Sequence, residues 1–404
     1  MNTEIISNQK DLMEAAALLQ AGRLVAVPTE TVYGLAGNGL DEKAVEQIYE
    51  VKGRPQVKPL SLMVPDAGAM ERCCREVPAQ AHALAARFWP GPLTIVLRSR
   101  ELVPAIVRAG GETVGLRCPD HPMTLELLRL AGIPFAAPSA NPSGAPSPKT
   151  AEEVRTYFDG KIAAIVDGGP CGLGKESTIL DMSRKPFRIL RQGALPAEEI
   201  ADALVDAMEI VGVTGPSGSG KSTALQCLWD RGALVLDCDR VYHELLETDL
   251  ELLSELEARF PGTVENGQLL RKKLGQQVFG DPAALLDLNR ITHRHITEEV
   301  RRRLRDFALQ GGTLAALDAS ELLESPLAGL CGFTIGVVAE EETRVRRIMA
   351  RSGNTLPRAE ATRRVKAQMP QEEKAARPGV VVVENDGSPA ELAEKVERLA
   401  AELR

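Results

Sequence analysis

The sequence predicts an α/β protein made of two domains joined end to end, and three observations predict it. The chain has 404 residues, more than one ordinary domain holds and enough for two of about 200. A glycine loop, Gly215-Pro-Ser-Gly-Ser-Gly-Lys-Ser222, stands between an apolar strand and a helix. That is the setting of a phosphate loop in a doubly wound parallel sheet. The first half lacks such a loop but also alternates strands and helices, with several strands adjacent in sequence, which predicts a mixed sheet.

In the first half a short strand around Ile5 precedes a helix from Asn8 to Leu19, with Leu12, Ala15, Ala16 and Leu19 on one face and Gly22 as its stop. Arg23 to Val27 reads as a buried strand running into Pro28. Helices follow at 41–51, 79–88, 122–131 and 150–158, with strands at 60–64, 92–98, 113–117, 133–137, 162–166, 177–181 and 187–191. Residues 193–208 read as a short helical connector. The second half opens on strand 209–214, the glycine loop, helix 221–231 and strand 234–236. A helix-rich stretch runs from 240 to 310. Strands at 313–318, 333–338 and 380–384 and helices at 341–351, 358–368 and 388–403 complete it. The expected boundaries are a domain over 1–195, a linker over 196–208 and a domain over 209–404.

Composition narrows the function classes. Residues 1–208 hold 22 Lys and Arg against 25 Asp and Glu, and the second half is also acidic, for a net charge of −8. Neither half carries the basic balance of a broad nucleic-acid binder. The seven cysteines are scattered without a CxxC pair or zinc spacing, which reads as reduced thiols and a cytoplasmic protein. No apolar run approaches the roughly 18 residues of a membrane span, and the first residues lack a signal-peptide core.

The glycine loop matches G-x-x-x-x-G-K-[ST] in full. Gly215, Gly218 and Gly220 let backbone N–H groups wrap an anion, with Pro216, Ser217, Ser219 and Thr223 completing the ATP-binding segment. Lys221 can bridge the β- and γ-phosphates, and the Ser222 hydroxyl can hold Mg²⁺. Asp237 and Asp239 end the next strand, where a carboxylate can take a proton from an attacking hydroxyl. The competing reading of Asp239 is a helix N-cap. The arginines at 301–303 are flanked by Glu298, Glu299 and Asp306 and read as a solvated helix face.

This half resembles dephospho-CoA kinase over residues 209–404. The likeness rests on GPSGSGKS, LDCDRVYHELL, LLRKKLGQQVF at 269–279, LDASELLES at 317–325 and QMPQEEKAARPGVVVVENDG at 368–387. It implies transfer of the ATP γ-phosphoryl group to the 3′-hydroxyl of dephospho-CoA. It also implies Asp239 as base, Lys221 as phosphate lysine, and Asp237 and His293 in the acceptor site. Arg347 and Arg351 fall in a lid helix where a guanidinium can neutralise transition-state charge, and Asn385 falls near the adenine. Asp318-Ala-Ser-Glu321 departs from the family's Asp-x-Pro-Leu-Leu, which bears on the acceptor contacts.

In the first half Lys52, Arg54 and Lys58 cluster after an amphipathic helix, stiffened by Pro55 and Pro59. Three cations in seven residues can bind a polyphosphate or carboxylate, or form a plain surface turn. Hydroxyl-rich turns follow three strands: Thr29 and Thr31, Ser139 and Asn141, Ser177 and Thr178. Strand ends are where α/β sheets hold ligands.

With PTETVYG at 28–34, KGRPQVKPL at 52–60, SANPSG at 139–144 and STI at 177–179, residues 5–195 resemble the threonylcarbamoyl-AMP synthase (YrdC/Sua5) family. The resemblance implies condensation of L-threonine, bicarbonate and ATP into threonylcarbamoyl-adenylate, a product passed to the machinery that makes t6A in tRNA. It places Arg54, Lys58, Thr113, Ser139, Asn141, Ser147 and Arg191 on the ATP side. Thr31, Arg117, Ala137 and Ser177 hold threonine, and Lys52 and Arg54 take catalytic roles, Lys52 at the phosphates or at the carboxylated amine. Met63 stands where some members carry histidine. Both halves are expected to use Mg²⁺ with ATP, with no membrane partner and no strong direct nucleic-acid binding. The rival readings are an RNA-binding module in the first half and a kinase of another small hydroxyl substrate in the second.

Overall fold

The computed structural model describes residues 2–319, 322–353, 355–366, 373 and 376–402. Two compact units emerge, the first formed mainly by Met1–Ala207 and the second mainly by Met208–Ala308 and Gly312–Arg404. The helix Ala197–Asp206, within the segment expected as a connector, clusters with the first unit and buries Ile200, Leu204 and Val205.

The first unit is built on an eleven-stranded mixed sheet. Its central order is Val25–Val27, Gly34–Asn38, Phe135–Ala136, Ser61–Met63, Thr113–Arg117, Leu93–Ser99 and Thr178–Asp181. Ser61–Met63 pairs parallel with Thr113–Arg117, while Leu93–Ser99 pairs antiparallel with it. One face is sealed by the helices Leu12–Gln20 and Pro122–Ala131. Their Leu12, Leu19, Leu127 and Leu128 pack on Val25, Val27, Phe135 and Val166.

Two strands of this sheet lie outside the expected elements, Gly34–Asn38 and Cys74–Arg75. The first reads GLAGN and has no β-branched residue, so propensity argues against it. Packing requires its composition instead. A Cβ at Gly37 would stand 2.9 Å from a Leu24 methyl, and one at Gly34 would stand 3.1 Å from the Met63 methyl. The expected helix over Asn8 to Leu19 starts as a 3₁₀ turn at Gln9–Asp11 before Leu12–Gln20.

In the second unit five parallel strands run in the order Leu234–Asp237, Leu314–Asp318, Glu209–Thr214, Phe333–Val338, Val380–Glu384. This is the expected doubly wound sheet. Ala224 and Leu228 of the helix Lys221–Asp230, with Leu392 and Val396 of Pro389–Glu402, cover the apolar strand residues Val211, Val213, Ile335 and Val337. The helix-rich stretch resolves into Cys238–Thr248, Leu250–Arg259, Arg271–Val278 and the 28-residue Pro282–Leu309. Among the described residues no helix is long and apolar enough to cross a membrane.

Candidate active sites

In the first unit, the helix Glu42–Lys52 delivers the cation cluster. Asp41 caps its start by accepting the Lys43 N–H at 3.0 Å, and Gly53 ends it in the left-handed region at φ 59°. Lys52 is therefore the last helical residue. Its ammonium is buried and donates to the backbone carbonyls of Ser139 and Asn141. Burial, and secondarily the like charge of Arg54, pull its pKa down to about 8. The lysine thus ties the cation segment to the SANPSG turn. Asn141 donates its amide to the carbonyls of Pro142 at 2.9 Å and Ala145 at 2.6 Å.

A cavity of about 270 Å³ opens beside this junction. Arg54, Thr113, Arg117, Ala137, Ser139, Ser177 and Arg191 all line it. Three central strands contribute alternate residues, Ser61 and Met63, Thr94 and Val96, Thr113, Gly115 and Arg117, and alternate residues of a strand share a face. The site therefore lies over the face of the mixed sheet, whereas the sequence pointed to strand ends. Gly115 is its floor, where a Cβ would stand 3.1 Å from a Thr94 methyl.

Arg117 is 7% exposed and its contacts are specific. Its Nη2 donates to Glu30 at 2.7 Å and to the Thr31 hydroxyl at 2.8 Å, and its Nε donates to the Gly91 carbonyl at 3.3 Å. Glu30 also accepts the Asp120 N–H at 3.0 Å. Arg191 donates twice to the Ser177 carbonyl, at 3.1 and 2.8 Å, and once to its hydroxyl at 3.2 Å. Ser147 donates to Glu176 at 2.7 Å; this bond, chiefly, holds the Glu176 carboxyl below its usual range. Lys58 is exposed on the segment after Arg54.

Sequence reasoning missed Thr94 and Glu176, which line this cleft, and Glu30, which holds the Arg117 guanidinium. Glu30 sits inside the PTETVYG motif between the two threonines that were singled out. Thr94 shares a 2.8 Å hydrogen bond with Ser177.

In the second unit the loop and its surroundings assemble at the carboxyl end of the sheet. Gly218 and Gly220 adopt φ of 83° and 107°, open to glycine at little cost. Gly220 precedes the first helical residue, Lys221, so the helix start faces the loop. The Lys221 ammonium pairs with Asp318, a residue that sequence reasoning did not single out as a ligand. Asp318 ends its strand in register with Asp237. Burial raises its pKa above the usual range; Lys221 opposes the shift, and the nearby Asp237 and Asp239 add to it.

Ser222 is exposed in the first helical turn, one residue after Lys221, whose partner Asp318 ends its strand in register with Asp237. The hydroxyl and these carboxylates are hard oxygen donors, the ligand type Mg²⁺ prefers, few enough to leave positions for water and phosphate oxygens. The residues present fit the ion.

A second cavity, of about 280 Å³, is lined by Asp239 and His293 together with Tyr242, Thr292, Thr297 and Ser325. Asp239 and His293 are thus brought together as expected. Asp237 is not among the lining residues, and its carboxylate caps the helix Cys238–Thr248 by accepting the Arg240 N–H at 2.9 Å. The capping role considered for Asp239 falls to Asp237 instead.

Asn385, expected near the adenine, lies next to the phosphate loop. It is buried against the loop, its amide donating to the Ser219 carbonyl at 2.6 Å, so that amide is committed to backbone. Arg351 is exposed at the end of the helix Glu341–Arg351. Glu321 and residues 367–372 lie outside the described residues.

A cation-lined cleft on a mixed sheet and a P-loop with an adjoining acceptor cavity define a pair of nucleotide-using transferase domains. The family described as telomere recombination, comprising Sua5, YciO and YrdC proteins, matches residues 17–193, and the dephospho-CoA kinase family matches residues 209–391. The chain is 48% identical over 202 residues to the threonylcarbamoyl-AMP synthase of Pyrococcus abyssi, 48% of this chain and 59% of that one. A Mycobacterium tuberculosis relative is 36% identical over 204 residues, 50% of this chain and 94% of its own. The dephospho-CoA kinase of Geobacter sulfurreducens is 38% identical over 196 residues, 48% of this chain and 98% of its own. The chain therefore belongs to the threonylcarbamoyl-AMP synthase family through its first half and to the dephospho-CoA kinase family through its second. It spans just over half the length of the first curated synthases it matches.

Proposed function

We propose that the protein is a bifunctional cytoplasmic enzyme. The first unit makes threonylcarbamoyl-AMP from L-threonine, bicarbonate and ATP, and the second phosphorylates the 3′-hydroxyl of dephospho-CoA. The observation that carries the reading is that the first unit gathers Arg54, Arg117, Ser139 and Arg191 around one cavity, while the second sets Asp239 and His293 around another, with the loop's Lys221 paired to Asp318, to which Asp239 lies close.

In the first unit, carboxylated threonine attacks the α-phosphorus of ATP. A carbamate oxygen forms the new O–P bond as the bond to pyrophosphate breaks. No nucleophilic side chain is needed; the cleft must hold the reactants in line and stabilise the departing charge. Arg54, Arg191 and Lys58 supply cations for the phosphates. Arg117 supplies a guanidinium for the threonine carboxylate, held in place by Glu30 and Thr31. In the second unit the acceptor hydroxyl attacks the γ-phosphorus, its proton passes to Asp239, and ADP leaves. Lys221 and the loop amides hold the phosphates throughout. Mg²⁺, held through Ser222, would neutralise phosphate charge.

The test is a mass-spectrometric product profile of the full chain with ATP, Mg²⁺, threonine, bicarbonate and dephospho-CoA. Coenzyme A and threonylcarbamoyl-AMP are both expected. The adenylate without coenzyme A would overturn the acceptor assignment, and coenzyme A alone would overturn the synthase assignment.

Two further outcomes are expected for the first activity. Arg117→Gln should raise the threonine KM by roughly 10- to 100-fold, the worth of about 1.5–3 kcal/mol for a hydrogen bond to a charged group, with a smaller change in the ATP KM. Equal changes in both would place Arg117 elsewhere. The lowered Lys52 pKa has a pH signature. As pH rises through about 8 the ammonium loses its proton and its grip on the Ser139 and Asn141 carbonyls. Threonylcarbamoyl-AMP formation should therefore fall on the alkaline side with a midpoint near 8, and Lys52→Arg should move the fall upward. A midpoint unmoved in that variant would assign it to another group.

A further inference from the structure

We propose that Arg344, Arg347 and Asn385 form a carbonyl clamp that holds the phosphate loop in its anion-binding conformation from outside. In this arrangement Arg347 is a positioning residue for ATP, not a group that acts on the transferring phosphate. The inference rests on the reading of the second unit as an ATP-using kinase.

A phosphate loop binds anions by turning successive backbone N–H groups inward. Each peptide is planar and trans, so a carbonyl points away from the N–H of its own plane. Turning the donors in turns acceptors out, and outward acceptors left without partners are costly when buried. Here three consecutive outward carbonyls are gripped. Arg344 Nε donates to Ser217 at 3.1 Å. Arg347 Nη1 donates to Gly218 and Ser219, each at 3.3 Å. The Asn385 amide donates to Ser219 at 2.6 Å.

Arg347 also binds the clamp to itself. Its Nη1 donates to the Asn385 carbonyl at 2.9 Å and its Nη2 to the Gly387 carbonyl at 3.2 Å. The guanidinium is thus committed to four backbone carbonyls, two in the loop and two in the segment after the last strand. Reaching the γ-phosphate would mean abandoning them. Arg351, one helical turn further on and exposed, has no such commitment among its described contacts and is left able to meet the nucleotide.

The loop glycines fit the same arrangement. A Cβ at Gly218 would stand 2.7 Å from the Arg344 carbonyl, and one at Gly220 would stand 2.0 Å from the Asn385 amide nitrogen. Their small size lets the clamp approach, in addition to supplying positive φ.

Hydrogen exchange of the full chain, read on residues 215–222 and titrated with ATP in Mg²⁺, tests this and separates the loop from the ATP site of the first unit. In Arg347→Met the loop amides should exchange faster without ATP, and the ATP midpoint should rise at least about tenfold, about 1.4 kcal/mol. Turnover with dephospho-CoA at saturating ATP should fall less than about fivefold. An unchanged basal exchange and midpoint would overturn the clamp. A fall in turnover beyond about 100-fold at an unchanged midpoint would overturn it in favour of a transition-state contact. Arg347→Lys and Asn385→Ala, which each keep part of the clamp, should show smaller shifts in the same direction; wild-type exchange and midpoints in both would also overturn it. If the wild-type chain fails to phosphorylate dephospho-CoA, the kinase reading falls while the exchange measurement still decides the clamp.

Discussion

Lys221→Ala is expected to lower turnover of dephospho-CoA phosphorylation by roughly 10²–10³ or more, the scale on which a preorganised charge at the reacting centre acts. Lys221 is the first residue of the helix that follows the loop, and its ammonium already sits at the strand ends, paired with Asp318. That position lets it stabilise negative charge as it moves from the γ-phosphoryl group toward ADP. Its removal has a second consequence. Asp318 loses its cation while Asp237 and Asp239 remain close, so the site keeps carboxylates that repel the incoming polyphosphate. The ATP KM should therefore rise together with the loss in turnover. Adding Asp318→Asn to Lys221→Ala should recover part of the KM change and little of the turnover. Threonylcarbamoyl-AMP formation, measured on the same preparation, should stay at its wild-type rate. A kinase rate within tenfold of wild type would remove Lys221 from the chemistry, and loss of both activities would point to misfolding.

The phosphate loop was legible because its chemistry depends on backbone conformation at fixed offsets, and glycine records that conformation directly. The parallel sheet was legible for a related reason. Strands buried on both faces read as continuous apolar runs, as in EIVGVT and FTIGVV. Asp318 carries no local signal beyond its place in the LDASELLES motif, since its role depends on register. It becomes a partner of Lys221 only when its strand lies between those ending in Thr214 and Asp237. The placement of the synthase cleft was hidden by the same limit. Its floor comes from strands whose spatial order differs from their chain order, so alternate residues of four or more strands converge on one face without any local signal.

Arg117 and Glu30 lie 87 residues apart, and nothing local in either segment announces a buried ion pair. Arg347 shows the converse case, in which position in a helix suggested a role and geometry supplied another. A guanidinium near a phosphate loop can face the phosphate or the backbone that holds it, and only the carbonyl contacts distinguish the two. Likewise the choice between Asp237 and Asp239 as helix cap turned on one hydrogen bond to the Arg240 N–H.

That assignment sharpens the second large effect, expected for Asp239→Asn. Among the described residues lining the acceptor cavity Asp239 supplies the one carboxylate, which places it to take the proton from an attacking hydroxyl. Asparagine keeps the volume and the hydrogen-bonding reach while removing the basicity. Turnover should fall by about 10²–10⁴ if proton acceptance and orientation are both lost, with the acceptor KM changed far less. Phosphoryl transfer has little bond formation to the nucleophile in a loose transition state, so the lower end of that range is the expected one. The residual rate should climb with pH, because hydroxide must then do what the carboxylate did. Asp237→Asn is the informative contrast. Asparagine caps helices about as well as aspartate, so that change should spare both the helix and the proton transfer. Large losses in both variants would mean that the strand-end carboxylates act through their combined charge. A near-normal rate in Asp239→Asn would reduce Asp239 to a favourable charge in the first turn of its helix and move the search for the base to His293, whose imidazole also lines the cavity.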